Sequence, residues 1–397
     1  MSSLSSRERM LAALSCQKTD HVPCCFMDFQ VLQKRSSDDF DFFDRQTTLG
    51  LDTRVELPDL PIHFDPAVTM STWKEQPKNS TSPLLHKEYA TPSGTITTVV
   101  RQTEDWIYGD AVPLFDDYLA PRTKKYLIEK PEDLAALRHL LVLPTDEDIK
   151  EFRKAATAYK KYADDKGLLF SGGWRNWRTD EITVVGGTPG TMGIDTLMWL
   201  CGGQAPLLWA FDQKDFLKEL IDIVATWNRR RMEIILDTGI QLVIKRAWYE
   251  GTEFWSPSLY REFIAPVLQE DIAVTHQANA KFGYISTSGT LPILDQLMDM
   301  ELDAIIGVDP GMGKGTDMQA FASQAKDKLC LWGGVNAPLS VEEATTPEIE
   351  NAVETALSTF EGNNGFILSP VDNILNTSKE AWENVLKFIE VWKSKTA

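Results

Sequence analysis

The chain has 397 residues, 43% hydrophobic and 25% charged, which is ordinary globular composition with enough apolar surface for a large core. A formal net charge of −18 argues against nucleic acid and anionic membranes as partners, since both reward basic surfaces. No apolar run approaches the roughly 18 residues needed to span a bilayer, and the opening MSSLSSRERMLAAL lacks the apolar core of a signal peptide, so a cytoplasmic location is expected.

In chain order, Ser5 or Ser6 is placed to cap a short first helix, and HVPCCFMDF (21–29) is the first predicted strand. The texture then turns to Asp, Pro, Thr and aromatics from about 30 to 125, with Pro92-Ser93-Gly94 as a turn into a strand. That stretch is expected to be an irregular insertion with some β-hairpin, not regular strand–helix units. PEDLAALRHLL opens a helix with Pro131 in its first turn. GLLFSGGW (167–174) is a strand. The long helix 212–239 has apolar residues three and four apart and is stopped by Gly239. QLVIKRAWYE (241–250) is a strand, and 256–279 is a helix interrupted near Pro266. Short strands follow at 282–289, 303–310, 329–336 and 365–373, and a helix over 378–393 closes the series.

Strands alternating with helices imply a parallel sheet, either a (β/α)8 barrel or a doubly wound sheet. No GxGxxG follows a strand, and Gly311-Met312-Gly313-Lys314-Gly315 lacks P-loop spacing and reads as a turn. Gly186-Gly187-Thr188-Pro189-Gly190 permits close approach of a backbone or cofactor, or forms a lid. Five cysteines (Cys16, Cys24, Cys25, Cys201, Cys330) are odd in number and form no CxxC, which favours a reducing compartment over a disulfide framework.

Several segments resemble the uroporphyrinogen decarboxylase superfamily. RERMLAALSCQKTDHVPCCF is similar to its first helix and strand. FWSPSLYREFIAPVLQEDIAVTHQANAKFGYISTSGTLPILDQLMDMELDAI is similar to its most recognisable stretch, and LWGGVNAPLSVEEATTPEIENAVETAL with GFILSPVDNILNTSKEAWENV to its last two units. The resemblance implies a TIM (β/α)8 barrel occupying the whole chain, 1–397, as one domain interrupted by the insertion at about 30–125. Functional side chains of such a barrel sit at the C-terminal ends of strands. That gives Met27 and Asp28; Trp174 and Arg175; Trp248, Tyr249 and Glu250; Ser286 and Ser288; Asp309; Asn336; and Asp372 with Asn373.

The chain also resembles the corrinoid-dependent methyltransferase branch of that superfamily, while departing from the motifs of each branch. The decarboxylase's arginine-rich signature after the first strand is replaced by FMDFQVLQKRS, with Asp28 where the first arginine would stand. The thiol-methylating branch's His-x-Cys-Gly is replaced by Ser286-Thr287-Ser288-Gly289, and its later Cys by Asp372. Of the Glu-x14-Glu-x20-His zinc pattern of O-demethylase-type methyltransferases, Glu250 matches, whereas Ala265 and Ser286 do not.

What the resemblance implies is a corrinoid-dependent methyltransferase. It would move a methyl group between a small O-, N- or S-methylated compound and a corrinoid (cobalamin) on a separate protein. Glu250, Asp372 and Tyr249 are the catalytic candidates, the other strand-end residues bind substrate, and the zinc motif is unmatched. A rearranged metal set of Glu250, His276 and Asp372 stays open, with His276 more readily explained as structural because it lies on a helix. Twelve tryptophans, Trp174 and Trp248 at strand ends among them, suit an aromatic, methoxylated or quaternary-ammonium compound. The alternatives are a metal-free decarboxylase of a small aromatic or pyrrolic acid, with Arg101, Arg175, Arg178 or Arg246 as the carboxylate clamp, and a non-catalytic binding barrel. Barrels of this superfamily often dimerise, and a homodimer is expected on that ground alone.

Overall fold

The computed structural model describes residues 4–78, 80–174, 192–311 and 317–396. The mixed α/β fold has a curled parallel sheet and a separate antiparallel one. The strands, in chain order, are β1 (Arg54–Glu56), β2 (Thr69–Glu75), β3 (Leu84–Thr91), β4 (Gly94–Arg101), β5 (Thr123–Lys125), β6 (Leu169–Gly173), β7 (Leu242–Arg246), β8 (Lys281–Ile285), β9 (Ala304–Val308), β10 (Cys330–Asn336) and β11 (Phe366–Val371). The parallel sheet runs β1-β6-β7-β8-β9-β10-β11, in chain order, as expected of a TIM-like strand–helix series. Segment 23–28 reaches both of its ends: Cys24 bridges Leu368 in parallel, and the Asp52 N–H donates to the Cys24 carbonyl at 2.8 Å.

Both faces of this sheet are buried, and each face follows from two-residue alternation. Leu242, Ile244, Ile285, Ala304, Ile306, Trp332 and Ile367 form an inner cluster that Met10, Ala13 and Leu14 of the first helix join. That helix, Ser6–Leu14, is capped by Ser5 with Glu8 in a capping box. The intervening residues Val243, Phe282, Tyr284, Ile305, Leu331 and Leu368 pack outward with the helices. Lys214–Leu236 turns Leu217, Leu220, Ile221 and Val224 inward at helical spacing, and Gly239 follows it in the left-handed region (φ 78°). The interruption before Pro266 is a π turn, Tyr260–Ile264, between helical residues on either side. Proline has no N–H to donate to the preceding turn, and the wider turn accommodates that.

The stretch from 30 to 125 differs from expectation in two ways. It holds a strand of the parallel sheet, β1, paired with β6 from Arg54 opposite Leu169 to Glu56 opposite Ser171. Three residues with charges at both ends give no apolar run to read. Besides the helices Gln30–Gln33 and Asp39–Thr48, the stretch holds a four-stranded antiparallel sheet, β2-β3-β4-β5, larger than a hairpin, whose first strand is exposed along its whole length. All five cysteines are free. Among the described residues no helix is long and apolar enough to cross a membrane.

Candidate active site

Strand β7 ends in two consecutive cations, Lys245 and Arg246, that are 3% and 2% exposed. Alternation sends them to opposite faces. Lys245 points outward, and its Nζ donates to Asp271 on helix Ala265–Gln277 at 2.6 Å, while Arg229 Nε donates to the other Asp271 oxygen at 2.9 Å. Arg246 donates through Nη1 to Asp195 and through Nη2 to both oxygens of Asp117, each at 2.8 Å. Its guanidinium lies 4.6 Å from the Trp199 ring centre, 4.5 Å from Trp248 and 5.2 Å from Tyr249. A planar, weakly hydrated cation suits this mixture of carboxylates and rings.

Asp195 is delivered by the backbone beside it. The Gly193 N–H donates to the Arg246 carbonyl at 2.8 Å and to Asp195 Oδ1 at 3.1 Å. A Cβ at 193 would overlap the Glu250 carboxylate and stand 2.9 Å from the Arg246 carbonyl oxygen, so only glycine allows this approach. Glu250 Oε1 accepts from the Asp195 N–H at 3.3 Å. Its Oε2 accepts from Tyr284 OH, and Tyr260 OH donates to Tyr284 at 3.4 Å. Burial pushes Asp195 up to about 7, with Arg246 pulling against it and Glu250 adding to the rise. Burial also raises Glu250, opposed by Lys245.

Arg246 borders a cleft of about 310 Å³. Rings from Trp248, Tyr249 and Phe254 and carboxylates from Asp117, Glu253 and Asp372 line it, with the hydroxyl residues Thr287 and Ser288. Tyr249 packs edge-on to Phe254 at 5.5 Å, and Trp248 edge-on to Trp174 at 5.5 Å. Tyr249 OH donates to Asp117 Oδ1 at 2.7 Å, and Ser288 Oγ to Glu253 Oε2 at 3.2 Å. Burial raises the Tyr249 phenol, and Asp117 adds to that, so it keeps its proton. Asp372 sits in the left-handed region (φ 70°) and accepts from the Asn373 N–H at 2.8 Å.

Of the residues expected from sequence, Trp248, Tyr249, Ser288 and Asp372 meet in this cleft, with Trp174 buried behind Trp248. Glu250 is 1% exposed and lies outside the lining, turned to Tyr284 and the Asp195 backbone. Asp309 and Asn336 form a buried pair: Asn336 Nδ2 donates at 2.7 Å, and the Gly311 N–H donates to the other Asp309 oxygen at 2.7 Å. The Met27 N–H donates to Ser369 Oγ at 2.7 Å. Asp28 bridges Asn373, whose Oδ1 accepts from the Gln30 N–H at 3.3 Å. The Ser286 hydroxyl is buried with no hydrogen-bond partner among the described residues. Arg175, Arg178 and the glycine-rich loop 186–190 lie outside the described residues, as do 312–315 of the later glycine turn.

His276 is elsewhere. It lies 2.7 Å from Asp303, which Lys281 also meets at 2.8 Å, at the N-terminal ends of β8 and β9. Glu250 and Asp372 follow the C-terminal ends of β7 and β11, so the three are not brought together. Among the described residues no three His, Cys, Asp or Glu side chains are grouped to hold a metal ion, and at the motifs' ligand positions Ser286 and Ser288 offer only hydroxyls and Ala265 no donor, leaving Glu250 and Asp372. The donor set does not fit zinc.

Sequence reasoning missed Asp117, Asp195, Tyr284, Glu253 and Phe254, and weighed Arg246 only as a carboxylate clamp. The signal was available in LVIKR: two cations ending a buried strand require buried acids nearby.

The model of the family described as Uroporphyrinogen decarboxylase (URO-D) matches residues 116–394. No curated protein matches the chain. Among solved structures, a methyltransferase from Methanosarcina mazei is similar over 99% of both chains, with a TM-score of 0.60 at 15% identity. A B12-independent methionine synthase from a Shewanella species is similar over 62% of this chain and 66% of that one, with a TM-score of 0.39 at 10% identity. At 15% identity the likeness to the methyltransferase speaks to the fold, whereas the family model spans residues 116–394, which include Asp117 and every strand from β5 to β11 and reach into the last helix: this chain belongs to the uroporphyrinogen decarboxylase family.

Proposed function

We propose that this protein is a methyltransferase that moves a methyl group between a small methylated compound and a corrinoid carried on a partner protein. The observation that carries the reading is the cleft, where three rings and three carboxylates meet in a chain whose fold follows a methyltransferase along its whole length. Segment 23–28 is read as the eighth strand, closing a TIM barrel between β11 and β1. On that reading the cleft lies at the mouth where such barrels carry their sites.

A space of about 310 Å³ takes a small compound and is far too small for a corrin ring, so the corrinoid is read as held outside by its partner. When docked it supplies the cobalt chemistry. The chain's own residues bind and orient. Trp248, Tyr249 and Phe254 exclude water from the methyl group. Tyr249, holding its proton, and Asp372 are the groups that reach the leaving heteroatom. Glu250 acts one step back, holding Gly193–Asp195 so that Asp195 meets Arg246. No step is routed through zinc. Arg246 is committed to two carboxylates, which disfavours its use as a carboxylate clamp for decarboxylation.

The test is incubation with chemically reduced cobalamin and a panel of methoxyarenes, methylated amines and thioethers, followed by visible absorbance. Protein-dependent methylation of cobalamin supports the reading. None across the panel, with carbon dioxide released from a candidate acid, moves it to decarboxylation.

A further inference from the structure

We infer that the cleft takes a cation, and that the substrate class is a small quaternary ammonium bearing methyl groups; this rests on the methyl-transfer reading. Asp117, Glu253 and Asp372 supply three carboxylates among the described lining residues, against Arg246 as the sole cation. That cation is already met by Asp117 and by buried Asp195. An anionic compound would therefore be repelled and a cation attracted. Trp248, Tyr249 and Phe254 line the same space, and cations bind aromatic rings. Two of these rings already lie against a cation in this molecule, Arg246.

The chemistry agrees. When a methyl group leaves a quaternary nitrogen for the partner's corrinoid, the C–N bond breaks and its electron pair stays on nitrogen. The tertiary amine departs neutral and needs no proton, so the three carboxylates need give none up. A methoxy compound would instead leave as an oxyanion beside them.

Calorimetric titration with choline chloride and with its uncharged isostere 3,3-dimethylbutan-1-ol isolates the charge. The cation is expected to bind at least about tenfold more tightly, a factor within reach of desolvated cation–π contact. Trp248→Leu is expected to weaken it by about the same factor. Asp372→Asn is expected to weaken it less, and Asn tolerates the left-handed backbone there, so the variant should fold. Equal affinity for the two ligands, or no binding of either, overturns the inference. Choline binding without cobalamin methylation would sink the methyl-transfer reading alone. Methylation from a methoxyarene with no choline binding would sink the cation alone.

Discussion

Lys245 and Arg246 are neighbours on one strand, equally buried, yet their surroundings differ. The Lys245 network lies between β7 and the helix layer and runs outward: Asp271 is taken up by Lys245 and Arg229, Arg229 also meets exposed Glu270 at 2.7 Å, and none of these residues lines the cleft. The Arg246 network runs from Asp195, fully buried, to Asp117, whose side chain is 51% exposed and lines the cleft. One network ends on the outer helix surface at Glu270, the other at the cleft through Asp117. Burial alone does not tell the two apart.

The comparison breaks most visibly at Arg246. Arg246→Ala leaves Asp195 buried without its cation and is expected to cost about 3–5 kcal/mol. It is also expected to lower methyl transfer about 100-fold in whatever protein stays folded, because Asp117 and Tyr249 lose their anchor. Denaturant unfolding with cobalamin methylation reads both. Lys245→Ala is expected to destabilise towards the low end of about 3–5 kcal/mol, since Arg229 still meets Asp271, with methyl transfer and KM unchanged. Loss of activity in that folded variant would erase the distinction drawn between the two networks.

Gly193→Ala sharpens it. The added methyl displaces the Glu250 carboxylate or the 193–195 backbone, at about 1–3 kcal/mol. Transition midpoints of the variant and the wild type measure this. The remaining effect is a slope, not a midpoint. Asp195 faces Arg246, Glu250, Asp117 and Lys245, and burial lifts its carboxyl from 3.8 to about 7. Between those values the folded protein holds a proton that the unfolded chain has released, so Asp195 makes stability fall as pH rises across the window. Asp195→Asn is expected to flatten that part of the Tm-against-pH curve, and an unchanged slope would assign the proton elsewhere.

Much of the fold was legible because the regular half of the chain writes its alternation plainly. β7 to β11 are short apolar runs between amphipathic helices, and their side chains fall on the faces the two-residue period dictates. β1 was not legible, because Arg54 and Glu56 leave one apolar residue to mark it. The antiparallel sheet was underestimated because β2 is exposed throughout and carries no hydrophobic stripe. Within the site, strand ends pointed to Trp248, Tyr249 and Asp372 by position alone. The direction of a side chain after a strand ends is set by the loop, which is why Glu250 turned to Tyr284 and away from the cleft. Asp117, from a loop, and Asp195, from the short 3-10 turn Ile194–Thr196, lie 129 and 51 residues from Arg246, and only the demand of a buried arginine for acids hinted at them.

The most direct test is cobalamin methylation by the wild type beside Trp248→Leu and Asp372→Asn, each checked for a wild-type melting transition. Methylation by the wild type that falls about tenfold in folded Trp248→Leu and by a smaller factor in folded Asp372→Asn is the expected result. Wild-type protein inactive on every methylated compound, or cleft variants as active as the wild type, would contradict methyl transfer at this cleft.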